Sequence, residues 1–436
     1  MSKRNPSHFF LLSCATSLLA FAAVGCSSQV VVEEEDGVVD DTTSPITKID
    51  HTSIKRQSIG NCWIYSNIGM VEALHKRGTG EVLNLSESYM TYFHWFDQIA
   101  NIETDYFSDK EVELKELETG GNYDVAGALI RRYGMMNERD FVPGDAEKEM
   151  SDLQKVALDA INASLKSGVL STIAARKDRA LVRRELDKAW KLSPSVVGTL
   201  DKVFGKDVSR SLSDPNKKAY ATGTTIKDAK SFMVIVNDPS TKKPISVKLD
   251  QVLPTQYGQS NLKYGYNVVG YPSAGFDAVS TAAKRREVLR RVQRALHDGV
   301  PVQMSWFVDF NSMESEGQFR APPAKPGKQG GHMVNVDDYE VTNVPGFGTL
   351  KAGVLEKRPE ALKAALDEKA EISFLRIKNS WGNVRPDRNF TTGYHDLHLK
   401  YLNGPVAMCE QKDGVTDPTD CRDGVPFDDV LLPAGY

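Results

Sequence analysis

The stretch Gln57-Ser58-Ile59-Gly60-Asn61-Cys62-Trp63-Ile64-Tyr65-Ser66 delivers a cysteine from a glycine-containing turn straight into an amphipathic segment. Ile64, Ile68, Val71 and Leu74 recur at helical spacing, and Gly78 stands where such a helix is expected to stop. Cys62 is therefore expected on the first turn of a buried helix. Unpaired backbone N–H groups and the positive end of the helix dipole favour thiolate over thiol there. A nucleophilic thiol also needs a proton acceptor, a group that orients the acceptor, and donors for a developing oxyanion. Gln57 and the backbone N–H of Cys62 are candidates for the last of these. A lone cysteine at this place is more often an ordinary buried one, so the weight falls on what the rest of the chain carries.

Far downstream, Gly330-Gly331-His332-Met333-Val334-Asn335-Val336 puts a histidine at the head of an apolar run with strand character. A second such run, Phe374-Leu375-Arg376-Ile377-Lys378, ends in Asn379-Ser380-Trp381-Gly382. Cys-Trp with an upstream Gln, then Gly-His, then Asn-Ser-Trp-Gly resembles the papain-like cysteine peptidases, in order and in separation. The resemblance implies a nucleophilic Cys62, a proton acceptor His332, an orienting Asn379, an oxyanion donor Gln57 and a shielding Trp381. It also implies a thiolate–imidazolium pair. Leu85-Ser86-Glu87 opening an aromatic-rich helix, and Gly120-Gly121-Asn122-Tyr123-Asp124 before a helix ended by Gly134, are similar to the bleomycin hydrolase and aminopeptidase C branch. In papain relatives such a double glycine lines the substrate cleft, so Gly120, Gly121 and Trp381 are candidate substrate-binding residues.

Three features depart from that pattern. Gln57 lies one position closer to the cysteine than is usual in the family, which bears on the oxyanion hole. Met333 stands where a small residue is common and is expected to narrow the cleft. The second Trp-Gly that usually follows Asn-Ser-Trp-Gly is replaced by 383–392.

The chain's 436 residues allow one large domain or two ordinary ones, and a formal net charge of -4 argues against nucleic acid as a partner. Residues 1–26 read as a lipoprotein signal peptide: Lys3 and Arg4, then an apolar run too short to span a membrane comfortably, then Ala23-Val24-Gly25-Cys26. The ending resembles a bacterial lipobox, which implies acylated Cys26 as the mature N-terminus on the outside of the bacterial cell envelope. Residues 27–53 are an acidic flexible tether, too short for the folded prosegment of papain-type zymogens. Residues 54–436 form the peptidase-like domain. Within it 54–145 are expected as a helical lobe, 146–300 as a helical and β insertion, and 301–436 as a β lobe with a C-terminal tail.

Mixed-sign runs between Lys148 and Lys206 read as solvated helix faces. His395 and His398 face opposite ways on a strand and no cluster completes a metal site, so no metal and no cofactor are expected. In an exported chain Cys409 and Cys421 are expected to pair, a loop worth on the order of 3 kcal/mol. The reading is a papain-like two-lobed α+β fold with a central insertion, a helical lobe carrying Cys62 and a β-barrel-like lobe carrying His332 and Asn379. The activity expected is peptide-bond hydrolysis by a lipid-anchored monomer. Two alternatives use the same residues: a weakly catalytic lipoprotein that binds peptides or cell-wall fragments, and a thiol acyltransferase. Whether cleavage is internal or from an amino end is left open by the sequence.

Overall fold

Helices dominate the first half of the chain and strands the second, as the change of period from helical to alternating requires. A computed structural model describes residues 49–101, 114–214, 221–255, 259–273, 278–383, 392–412 and 415–436. The signal segment, Cys26 and most of the acidic stretch lie outside the described residues. The described residues fall within one compact unit, Asp41–Tyr436. The helices are α1 (Cys62–Thr79), α2 (Glu87–Ile99), α3 (Tyr123–Tyr133), α4 (Glu138–Phe141), α5 (Leu153–Ser167), α6 (Ile173–Lys177), α7 (Arg179–Ala189), α8 (Pro194–Phe204), α9 (Ala278–His297), α10 (Pro359–Ala364) and α11 (Leu399–Leu402). The strands are β1 (Met233–Asn237), β2 (Pro244–Lys248), β3 (Tyr266–Gly270), β4 (Val302–Asp309), β5 (Gln329–Val344), β6 (Gly348–Leu350), β7 (Glu371–Lys378), β8 (Tyr394–His398), β9 (Val406–Lys412), β10 (Val415–Gly424) and β11 (Phe427–Pro433). None of the described helices is long and apolar enough to cross a membrane.

Helix α1 buries an unbroken run from Trp63 to Leu74 and so lies in the interior. It stops at Thr79 rather than at Gly78: Gly80 takes the left-handed conformation, φ 71°, and its N–H caps Lys76 O. Gly78 is instead a close-approach glycine, with Ile235 where its side chain would be. Helix α2 is capped by Ser86, whose Oγ accepts from the Tyr89 N–H at 2.9 Å. Its aromatic side chains pack on α3, α4 and α8, with Phe93 stacked on Tyr133 at 4.0 Å and edge-on to Phe204 at 5.1 Å.

The charged stretch around α7 is not simply a solvated face. Val182, Leu186 and Trp190 recur every fourth residue and are fully buried, with Trp190 5.3 Å from Trp95. Arg183 is buried with them and ion-paired to Asp187 at 2.9 Å and Asp201 at 3.5 Å.

The main sheet runs β3-β11-β4-β5-β7-β8, with β6 pairing β5. Two features differ from the sequence expectation. Strand β3, from the stretch read as insertion, is an edge of this sheet. The supposed tail is β11, an interior strand paired antiparallel to β3 and β4. Local sequence does not reveal such pairings, because each partner is far away in the chain. Cys409 and Cys421 face each other across the β9–β10 hairpin and are joined as a disulfide.

Ser86→Ala leaves a buried N–H of α2 without its acceptor. The expected loss of stability is about 1 kcal/mol, measured by urea denaturation; an unchanged midpoint would show that the cap contributes nothing.

Candidate active site

Helix α1 and strand β5 pack directly on each other. Asn335 Nδ2 donates to Ser66 O at 3.1 Å, Gln303 Nε2 on β4 donates to Ser66 Oγ at 2.9 Å, and Asn67 Nδ2 lies 3.8 Å from Met333 Sδ. These contacts carry the start of α1 to the start of β5. Backbone N–H groups of Met333, of Trp63 and of Cys62 itself lie near the thiol of half-buried Cys62 and favour its thiolate. It therefore sits against the residue that follows His332. Met333 is buried at this junction, so its bulk fills the helix–strand interface rather than a cleft.

The His332 ring is oriented by a chain of constraints. The β5–β7 ladder pairs Val336 with Ile377 and Asn335 with Lys378, which brings Asn379 level with the histidine end of β5. Asn379 Oδ1 accepts the Ser380 N–H at 2.7 Å, so the amide oxygen, not the nitrogen, occupies that position. His332 Nε2 lies 2.7 Å from the same oxygen and must therefore be the protonated nitrogen. Nδ1 is left as the basic nitrogen. Trp381 stacks on the imidazole at 4.8 Å and 24°. Trp306, the cross-strand neighbour of His332, approaches edge-on at 6.1 Å. Phe310 and His395 pack against Trp381 at 5.3 Å each, which closes the surroundings of the His332–Asn379 bond against water.

Gln57 is tied to the same motif. Its N–H donates to Ser380 O at 2.9 Å, and its Oε1 accepts from Ser380 Oγ at 2.6 Å. Nε2 donates to Ile59 O at 2.8 Å, which leaves its second N–H for another acceptor. Gly120 and Gly121 are exposed and lie in the loop beside Trp63, whose Nε1 donates to Thr119 O at 2.9 Å. A Cβ at Gly121 would fall 2.5 Å from the Trp63 ring, so the loop can lie this close to α1 only with glycine at that position.

Burial opposes charge on both Cys62 and His332. Burial pushes the Cys62 thiol up, against the three N–H groups that favour thiolate. Burial brings His332 down to about 4, against the Asn379 bond, which raises it.

The remaining sequence candidates lie elsewhere. His395 Nδ1 meets Gly317 O at 3.0 Å, and His398 is half-buried beside Phe374. The described residues contain no group of three or more metal-ligating side chains. The closing residues do not enter the site: Tyr436 bonds Asn237 and Asp298, and Arg291 donates to its main-chain oxygen. Arg77, near the end of α1, holds the same Asn237 and Asp298. That end is about 22 Å along the helix axis from Cys62 at 1.5 Å per residue. Ser380, Trp306 and Phe310 escaped the sequence reading, although Ser380 stands inside the asparagine motif itself.

No family model matches the chain, and no curated protein matches it by sequence. Among solved structures it is similar to PepW from Lactobacillus rhamnosis HN001, at 12% identity and a TM-score of 0.39, over 89% of this chain and 81% of that one. It is also similar to the clostridial cysteine protease Cwp84 after propeptide cleavage, at 13% identity and a TM-score of 0.24, over 87% of this chain and 54% of that one.

If burial and the Asn379 bond set the His332 ring as described, its ¹⁵N shifts should show the Nε2–H tautomer down to about pH 4. Asn379→Ala removes the contribution that raises this pKa, so the midpoint should move lower still. A ring titrating at its ordinary value, or one moving up in the variant, would contradict the geometry.

Proposed function

We propose that the chain is a papain-like cysteine peptidase acting through Cys62, His332 and Asn379. One observation carries the reading: a helix-start thiol near the backbone of Met333, the residue that follows His332, whose Nε2–H is held by Asn379 Oδ1 under Trp381. That constraint leaves Nδ1 to accept the thiol proton. As the proton moves to Nδ1, Sγ bonds to the carbonyl carbon of the scissile peptide. The oxyanion so formed accepts hydrogen bonds from the Cys62 N–H and the second N–H of Gln57 Nε2. The C–N bond breaks, the imidazolium gives its proton to the leaving amine, and the acyl-thioester remains. Water then attacks the thioester, His332 taking its proton, and the carboxylic acid leaves as the thiol is restored.

Internal cleavage and removal of amino-terminal residues would use the same three residues. Peptides blocked at the amino end distinguish them: cleavage as fast as that of free peptides assigns internal cleavage, and strict dependence on a free amine assigns removal of amino-terminal residues.

The segment Val24-Gly25-Cys26-Ser27 after an apolar run supports an exported monomer anchored by acylated Cys26. Cys26→Ser should abolish partitioning of the protein into detergent. A wild type that is already wholly water-soluble removes the lipoprotein reading.

Cys62→Ala should abolish hydrolysis while the fold survives, since the change removes little volume. Asn379→Ala should lower kcat much more than KM, because an asparagine cannot titrate and acts only by orientation. Loss of one hydrogen bond to a group that becomes charged costs roughly 1.5–3 kcal/mol, about ten- to 150-fold in rate. His332→Ala should cost more. Unchanged kcat in Asn379→Ala would remove Asn379 from the triad.

A further inference from the structure

A cluster of charges is buried between α1 and the strands that carry His332 and Asn379, and the reaction makes no use of it. Lys378, the residue before Asn379, is 9% exposed. Its ammonium donates to Thr52 Oγ1 at 3.2 Å, and Thr52 Oγ1 donates to Glu72 Oε2 at 2.5 Å. Glu72 belongs to α1, is 1% exposed, and accepts the Leu85 N–H on its other oxygen at 2.7 Å. Lys55 completes the group, 2.7 Å from Glu87 and 3.8 Å from Glu72. Buried charges of this kind add little to stability over an apolar core, so their presence asks for another reason.

The surroundings are shaped for this contact. Lys378 pairs with Asn335 in the β5–β7 ladder, and both side chains reach α1 at Gly69. A Cβ on Gly69 would stand 3.0 Å from Asn335 Nδ2, tight enough that the bare backbone eases the approach of Asn335, and 3.7 Å from Lys378 Nζ, an ordinary contact. A cavity of about 20 Å³ lies among Gly69, Glu72, Asn335, Lys378 and Asn379. Burial holds the ammonium down to about 8, with Lys55 adding to the effect and Glu72, Glu87 and Asp337 opposing it. It remains a cation at neutral pH.

The β5–β7 ladder fixes His332 relative to Asn379 but fixes neither to the helix that bears the thiol. Asn335 and Gln303 bind Ser66 from β5 and β4. At the end of β7, Ser380 holds Gln57 just ahead of α1, and the link from β7 to the body of α1 runs through Lys378, the residue before Asn379. We propose that Lys378 is a positioning residue: through Thr52 and Glu72 it fixes β7 to α1, and so sets the separation between the His332–Asn379 pair and the Cys62 thiol. The proposal rests on the reading of these three residues as a catalytic triad.

The test uses the full chain with Lys378→Met, Thr52→Val and Thr52→Ser. For each, kcat and KM on a peptide are measured beside the second-order rate of Cys62 alkylation by chloroacetamide, with melting temperatures alongside. Lys378→Met should lower both kcat and alkylation roughly tenfold or more, with KM within about twofold, as loss of a charge-assisted link implies. Thr52→Val should lower both by about three- to tenfold, and Thr52→Ser should restore them. If Lys378→Met does not fold, the Thr52 pair decides. Folded Thr52→Val with kcat and alkylation at wild-type values overturns the proposal and leaves the peptidase reading standing. Alkylation rates that follow the expected order in a chain that hydrolyses no peptide support the positioning role and overturn the peptidase reading instead.

Discussion

The hydrogen bond from His332 Nε2 to Asn379 Oδ1 is the contact on which the site depends, and almost every neighbouring feature maintains it. The β5–β7 ladder sets its length, the Ser380 N–H fixes which atom of the amide faces the ring, and Trp381 lies over it. Without the Ser380 contact the amide could present its nitrogen, and the ring would have to turn its proton toward the thiol. A hydrogen bond between two neutral groups is worth only about 1 kcal/mol to stability. Its value here is directional: it decides which imidazole nitrogen is basic.

The second constraint is the burial that surrounds the site. Desolvation opposes charge on Cys62 and on His332 alike. Three N–H groups at the thiol and one carbonyl oxygen at the ring stand ready for the charges that proton transfer creates. These donors and the acceptor are already in place, so they need no rearrangement as charge develops.

How much of this is legible in the sequence follows from how local each feature is. Cys62 at a helix start, His332 on a strand and Asn379 before a tryptophan are each written in a few consecutive residues. Their nearness in space came from the family resemblance, not from periodicity. Strand β11 was hidden because Phe427-Asp428-Asp429-Val430 carries two acidic residues and its partners lie far away in the chain. The charges around α7 mislead for a related reason. Val182, Leu186 and Trp190 form an apolar stripe between them, and a buried Arg183 looks in sequence like any solvated arginine. Lys378 and Glu72 are the sharpest case, since a lysine inside a strand and a glutamate inside a helix give no sign that they meet through Thr52.

The central claim is that Cys62 is a nucleophile made reactive by the folded site, and labelling by a peptidyl vinyl sulfone tests it most directly. The probe adds to a thiol quickly only where the peptide is seated and a proton acceptor stands beside the sulfur. The account predicts one adduct per chain, located on Cys62 by mass spectrometry, formed by the native protein and suppressed both by unfolding and by His332→Ala. Labelling that is equally fast in the unfolded chain or in His332→Ala, or no adduct on Cys62 at all, would contradict it.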